Sequence, residues 1–142
     1  MTVQELSQLY YLNREIELDQ RRLQELEAHA YAPTGANLTG MPRNPSVNRN
    51  MEKYAAEIVD LKAIIAAKQL QCIHERNRLE RYIADVEDSL TRWILTLRFI
   101  NGLPWEQVAL HIGGGNTTEG VKKRCYRYLK STEAPDPDRA EK

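Results

Sequence analysis

The residues best placed to do chemistry lie in one short stretch near the carboxyl end of the chain. Residues 113–130 read GGGNTTEGVKKRCYRYLK, and the last ten of these positions hold five basic side chains and no acid. No nucleophile with a suitable base stands out in the chain, so the chemistry on offer is non-covalent binding of a polyanion. The charge distribution agrees, because residues 88–130 hold seven bases and three acids although the formal net charge of the chain is zero.

The spacing of apolar residues places these cations on a helix. Val121, Cys125 and Leu129 are four residues apart, so they share one helical face. We predict that this face packs against the protein and that the other side of the helix is cationic. Ala109 lies in the short helix expected before it, and its small side chain permits a close crossing of the two helices. A helix-turn-helix needs such a crossing.

Two further helices are predicted to position the cationic one. Asp88 or Ser89 can cap the first, which ends at the Asn101-Gly102 pair. The second begins at Pro104, where a missing N–H costs nothing, and residues 113–115 end it. Asn116 can cap the third, with Glu119 at the capping-box position. Trp93 and Trp105 are interpreted as packing anchors of this small bundle.

The residues from Leu97 onward resemble a known DNA-binding family. The stretch LRFINGLPWEQVALHIGGGNTTEGVKKRCYRYLK is similar to region 4 of sigma-70-type factors, their promoter-reading helix-turn-helix, and the resemblance covers roughly a third of the chain, residues 88–130. It departs from the family at Pro104, where a serine cap is usual, and in a turn lengthened by about two residues through its three glycines and Asn116. The matching positions, in order, are Phe99, Gly102, Leu103, Val108, Ala109, Val121, Lys122 and Arg124.

This resemblance implies a sequence-specific regulator of transcription that binds double-stranded DNA. The third helix would enter the major groove, with its first residues at the base edges and its cations at phosphates. The layout is also similar to that of small regulators of Gram-positive phages and prophages, and RNA polymerase is a candidate partner. No segment resembles the aromatic helix that melts promoters. The predicted DNA-binding residues are Thr117, Thr118, Glu119, Lys122, Lys123, Arg124, Tyr126, Arg127 and Lys130.

Heptad spacing predicts a coiled-coil helical hairpin in residues 1–86, so the expected fold class is all-α. Helices are expected over about residues 3–30 and 48–84, joined by a loop over 31–50 that is rich in Pro, Gly and Asn. A capping box, Thr2 with Glu5, begins the first helix. Residues 87–130 form the helix-turn-helix domain, and residues 131–142 are expected to be a disordered tail. The longest heptad series is Met51, Ile58, Ile65, Cys72, Leu79 and Val86.

Polar residues interrupt the heptad seams. Asp19, Lys68 and Glu75 occupy seam positions, which indicates control of register or a small bundle. The pattern is compatible with an intramolecular hairpin and with a homodimer or higher homo-oligomer.

Other classes of protein receive little support from the sequence. Cys72 and Cys125 have no CxxC partner, the three histidines have no ligand spacing, and no apolar run is long enough to cross a membrane. We therefore expect no enzyme activity, no metal or other cofactor, no membrane association and a cytoplasmic location. Two alternatives stay open: a phage terminase small subunit, which also joins a helix-turn-helix to oligomerising helices, and a structural coiled-coil adaptor with an incidental basic end.

Overall fold

The chain is all-α, as predicted, with a long hairpin of two helices followed by shorter helices. The structure is a computed structural model that describes residues 1–31 and 45–133, with the backbone alone for residues 45–50. No strand occurs in these residues, and none of their helices is long and apolar enough to span a bilayer. The helices are α1 (Val3–Tyr31), α2 (Pro45–Ala84), α3 (Ser89–Leu95), which a π-helical turn (Thr96–Ile100) continues, α4 (Trp105–Ile112) and α5 (Thr118–Thr132).

Two helix ends differ from the sequence prediction. Helix α2 begins at Pro45 instead of near residue 48, because proline is well suited to a first helical position. Helix α5 extends to Thr132, so the predicted tail does not begin at residue 131. The Ser131 hydroxyl donates to the Tyr128 carbonyl at 2.7 Å within this last turn. Residues 32–44 of the predicted loop and 134–142 of the predicted tail lie outside the described residues.

The chain divides into two compact units. We call residues 12–71 the hairpin unit, and residues 1–11 together with 72–133 the core unit. Helices α1 and α2 each contribute to both.

In the hairpin unit, α1 and α2 run antiparallel and bury one narrow seam. The His29 ring stacks on Tyr54 at 6.1 Å between centroids, and Lys62 Nζ lies 3.7 Å from Glu27 Oε1. The heptad seam is therefore filled by the other helix of the same chain. Its buried residues are Ile16, Leu26, Ile58, Leu61 and Ile65.

The polar seam residues of the hairpin unit pair with each other. Lys68 Nζ lies 2.6 Å from Asp19 Oδ2 and 3.5 Å from Glu15 Oε2. The hydrogen bond to Asp19 raises the pKa of Lys68, and the two carboxylates raise it further, against the opposing effect of desolvation. Any other alignment of the helices would leave these charges unpaired at the seam, so the pair favours a single register.

In the core unit, α1 begins at the predicted capping box. The Thr2 N–H donates to Glu5 Oε2 at 2.8 Å, and the Glu5 N–H donates to Thr2 Oγ1 at 3.2 Å. The hydrogen bond from the Thr2 backbone lowers the pKa of Glu5. The buried apolar cluster of this unit consists of Leu6, Leu9, Leu79, Ile83, Val86, Ile94, Leu95, Leu97, Phe99, Val108, Ala109, Val121, Cys125 and Leu129.

Helix α3 and its π-helical turn carry much of that cluster. Ile94 and Leu95 are buried, whereas the neighbouring Trp93 is 47% exposed, so the prediction that Trp93 anchors the packing is wrong. The Asn101 N–H donates to the Thr96 carbonyl at 3.0 Å across the wider turn. The π-helical turn inserts an extra residue into the helical repeat, and the sequence pattern did not predict it.

Candidate nucleic-acid interface

The turn between α4 and α5 is built from three consecutive left-handed glycines. Gly113, Gly114 and Gly115 have φ values of 64°, 63° and 78°. Side chains disfavour this region by about 1–2 kcal/mol per residue, so three glycines in succession let the chain reverse here without that cost. Asn116 closes the turn: its N–H and its side-chain Nδ2 both donate to the Gly113 carbonyl, at 3.2 and 2.9 Å.

Helix α5 is capped by Thr117, and the prediction that Asn116 caps it is wrong. Thr117 Oγ1 accepts a hydrogen bond from the Gly120 N–H at 3.0 Å. The Asn116 amide is engaged with Gly113 and is not the cap. A Cβ atom at Gly120 would lie 3.0 Å from Thr117 Oγ1, so a residue without a side chain gives this cap room.

The two sides of α5 differ as predicted in their burial. The buried side packs within the core unit and consists of Val121, Cys125 and Leu129. Burial raises the pKa of the Cys125 thiol to about 11, more than the nearby Arg98 charge lowers it, so this thiol is neutral at physiological pH. Cys125 is therefore a packing residue.

The opposite side of α5 is cationic and exposed. Lys123, Arg127 and Lys130 lie on the side away from the buried residues, since successive residues are about 100° apart around a helix. None of the three forms an ion pair with a residue that the structure describes. We call these three residues the cationic face. Glu119 and Gly120 lie at its amino-terminal end and are also exposed.

Arg124, another predicted phosphate contact, is bound within the protein. Its Nη2 lies 2.7 Å from Asp88 Oδ2. The same carboxylate caps α3 by accepting from the Thr91 N–H at 3.2 Å and from the Thr91 hydroxyl at 2.6 Å. These hydrogen bonds, that from the Thr91 hydroxyl first, hold the pKa of Asp88 well below its usual range. Asp88 thus ties α5 to the start of α3.

On the other flank of α5, Tyr126 packs against α4. Its ring lies 6.0 Å from that of Trp105, and the Arg98 guanidinium lies 4.8 Å above the Trp105 ring. Arg98 Nη1 also donates to the Leu103 carbonyl at 3.0 Å. This stack joins side chains of α4 and α5, and it leaves Tyr126 half-buried beside the likewise half-buried Lys122.

The residues predicted to contact bases differ in their exposure and in whether their side chains are already hydrogen-bonded. The Thr117 hydroxyl is engaged in the cap, Thr118 is half-buried and Glu119 is exposed. Of the nine predicted DNA-binding residues, the structure thus places Glu119, Lys123, Arg127 and Lys130 together on the exposed side.

Sequence reasoning missed the residues that hold α5 in place. The sequence predicts Asp88 only as a helix cap. It does not predict the pair with Arg124, because the two residues are 36 positions apart. The contacts of Arg98 could not be predicted, because a cation five positions before a leucine and near a tryptophan forms no recognisable sequence pattern.

Comparisons of the chain with protein-family models, curated proteins and solved structures find no match.

Proposed function

We propose that this protein is a sequence-specific regulator of transcription that binds double-stranded DNA through α5, in the manner of sigma-70 region 4. The observation that carries the proposal is the cationic face: three cations without an ion pair to the described residues, on a helix whose opposite side is buried. A surface of unpaired cations on a rigid helix attracts a polyanion.

The shape of α5 suits duplex DNA better than a single strand. A helix with side chains is about 10–12 Å wide, which matches the major groove at about 12 Å. Single-strand binding relies on exposed aromatic side chains that stack on bases, whereas the aromatic ring of Tyr126 packs on Trp105.

Different residues of α5 would contact the bases and the phosphates. Glu119 and Gly120 in the first turn would lie nearest the base edges, where a carboxylate accepts from cytosine N4. Lys123, Arg127 and Lys130 would contact phosphates. Arg124 would have to leave Asp88 to join them, so its first role is to hold the orientation of α5.

The proposal is tested by selecting bound sequences from a random duplex pool with the full chain. Enrichment of one motif is expected, together with weaker binding of a single strand of the same sequence. Glu119→Ala should change the preferred sequence at one position, by about 1–3 kcal/mol, whereas the control Gln107→Ala, at an exposed position of α4, should not. Failure to enrich any motif would contradict the proposal, and the absence of binding to both duplex and single strand would favour a structural adaptor.

A further inference from the structure

The hairpin unit leaves an apolar stripe exposed on α2. Ala56, Val59, Ala63, Ala66 and Leu70 are all exposed, and the two largest, Val59 and Leu70, are 65% and 56% exposed. We call these five residues the rear stripe. Apolar side chains with this much exposure along one helical face mark a surface that lacks its partner.

The rear stripe is separate from the seam that α1 covers. At about 100° per residue, its centre lies roughly 150° around α2 from the buried Ile58, Leu61 and Ile65. Because α1 packs on the seam side, it does not shield the stripe. Helix α2 in this unit is therefore apolar on two nearly opposite faces, and the residues that the structure describes cover only the one that faces α1.

The spacing of the stripe is that of a helix-packing surface. Its residues alternate steps of three and four, the repeat with which two helices interlock side chains. Alanine alone is common on exposed helices for its helix propensity, but Val59 is β-branched and has no such advantage. Helix propensity therefore does not account for the exposure of Val59 next to Ala63.

We propose that a second copy of this chain covers the rear stripe, with the two α2 helices antiparallel about a two-fold axis near residues 64 and 65. In this alignment Val59 meets Leu70 of the partner subunit and Ala63 meets Ala66 of the partner subunit, and each pair occurs twice, as a two-fold interface requires. The central alanines let the helices approach closely, and antiparallel helix dipoles attract.

The charged residues beside the stripe are compatible with this pairing. Asp60 and Lys62 flank it, and the antiparallel alignment sets them opposite Ala67 and Gln69 of the partner subunit. Neither Asp60 nor Lys62 meets a like charge. Lys62 also keeps its ion pair with Glu27, at 3.7 Å in its own chain.

The area of the stripe sets the expected strength of the dimer. The stripe consists of five side chains, three of them alanines, so it is small beside the roughly 1,200 Å² of total surface that stable complexes bury. The interface is therefore expected to be weak, in the range of transient protein–protein contacts. The inference does not depend on DNA binding, since the stripe lies in the hairpin unit and the dimer forms without DNA.

The test is sedimentation equilibrium of the full chain, without DNA, from about 5 to 500 μM, a range that extends to high concentration because the interface is expected to be weak. The wild-type mass should rise from the 16.4 kDa monomer toward twice that value. Val59→Lys with Leu70→Lys should weaken self-association at least tenfold, while helicity is retained because both side chains are exposed. Leu18→Lys is the matched control: Leu18 is 62% exposed but lies on α1, so this variant should associate like wild type.

Orientation is tested with two chains whose native cysteines are replaced, one carrying Ala63→Cys and one Ala66→Cys. Oxidation of the mixture should favour disulfides between unlike chains. A wild-type mass of 16.4 kDa at every concentration, or a Val59 and Leu70 double variant that associates like wild type, would overturn the proposal. Disulfides mainly between like chains would overturn the antiparallel arrangement.

Discussion

The hairpin unit and the core unit exclude water in different ways. Two helices in the hairpin unit can cover only a seam, and its buried residues lie along that seam, with Ile16 and Ile65 toward one end and Leu26 and Ile58 toward the other. In the core unit, short helices cross and enclose a cluster in which Leu79, Leu95 and Cys125 are fully buried. The difference also appears on the exposed faces. The hairpin unit presents an apolar stripe, suited to another helix, and the core unit presents a cationic face, suited to a polyanion.

The largest expected effect is the contrast in packing energy between the units. Ile94→Ala in the core unit should cost about 3–5 kcal/mol, because a residue 1% exposed leaves a cavity that crossing helices cannot close. Leu61→Ala in the seam should cost about 2–3 kcal/mol, since two helices can shift together. Urea unfolding measures both. Both tryptophans lie in the core unit, so their fluorescence follows that unit while circular dichroism follows all helices.

Equal losses for the two variants, or a larger loss for Leu61→Ala, would contradict this contrast.

The next effect concerns the glycine turn of the core unit. Gly114→Ala places a side chain at a φ of 63° and should cost about 1–2 kcal/mol. No heavy atom other than Asn116 Nδ2, at 3.8 Å, is near the added Cβ, so the cost is conformational and not a clash. Gln107→Ala, at an exposed position of α4, should change the free energy of unfolding by less than about 0.5 kcal/mol. Thermal unfolding of both variants checks this prediction. A Gly114→Ala variant with the melting temperature of the wild type would show that the turn tolerates other conformations.

Acid should weaken the core unit through Asp88. Its carboxylate is held ionised below the usual pKa of 3.8 by hydrogen bonds from Thr91 and Arg124. A lowered native pKa gives stability that is present above the unfolded pKa and is lost as the pH falls below it. At pH values below about 4, the urea midpoint of the wild type should therefore fall more steeply with decreasing pH than that of Asp88→Asn. Parallel curves for the two proteins would show that the Asp88 bonds contribute nothing measurable.

The smallest effect is expected for the polar pair of the hairpin unit. Replacing Lys68 and Asp19 together by Met and Leu removes a half-buried ion pair and extends the apolar seam, so stability should change by less than about 1 kcal/mol. The variant should instead lose a unique register, seen as additional amide peaks by NMR. A loss above about 2 kcal/mol would show that the pair is a main source of stability.

What the sequence could predict depends on how local each interaction is. Burial of Ile58 and Ile65 and the packed face of α5 follow from periodicity, which neighbouring residues alone determine. The choice of Thr117 over Asn116 as the cap depends on a turn of three left-handed glycines that brings the Asn116 amide back to Gly113. That geometry is not visible in residue types, since both residues are good caps.

Contacts over long separations could not be predicted at all. The pairing of Arg124 with Asp88 depends on the crossing of α3 and α5, which no spacing encodes. The sequence therefore groups five cations as phosphate contacts. The structure distinguishes the three exposed residues of the cationic face from Arg124, which is paired with Asp88, and from the half-buried Lys122. Which of them contact DNA stays a prediction.

The central claim is that the cationic face binds duplex DNA, and the salt dependence of binding tests it most directly. With three to four phosphate contacts per chain, log affinity should fall with log salt at a slope of about −3. Lys123→Ala with Arg127→Ala should make that slope shallower by about two, whereas Arg22→Ala, an exposed cation of the hairpin unit, should leave it unchanged. Binding by the double variant with the affinity and slope of wild type would contradict the account.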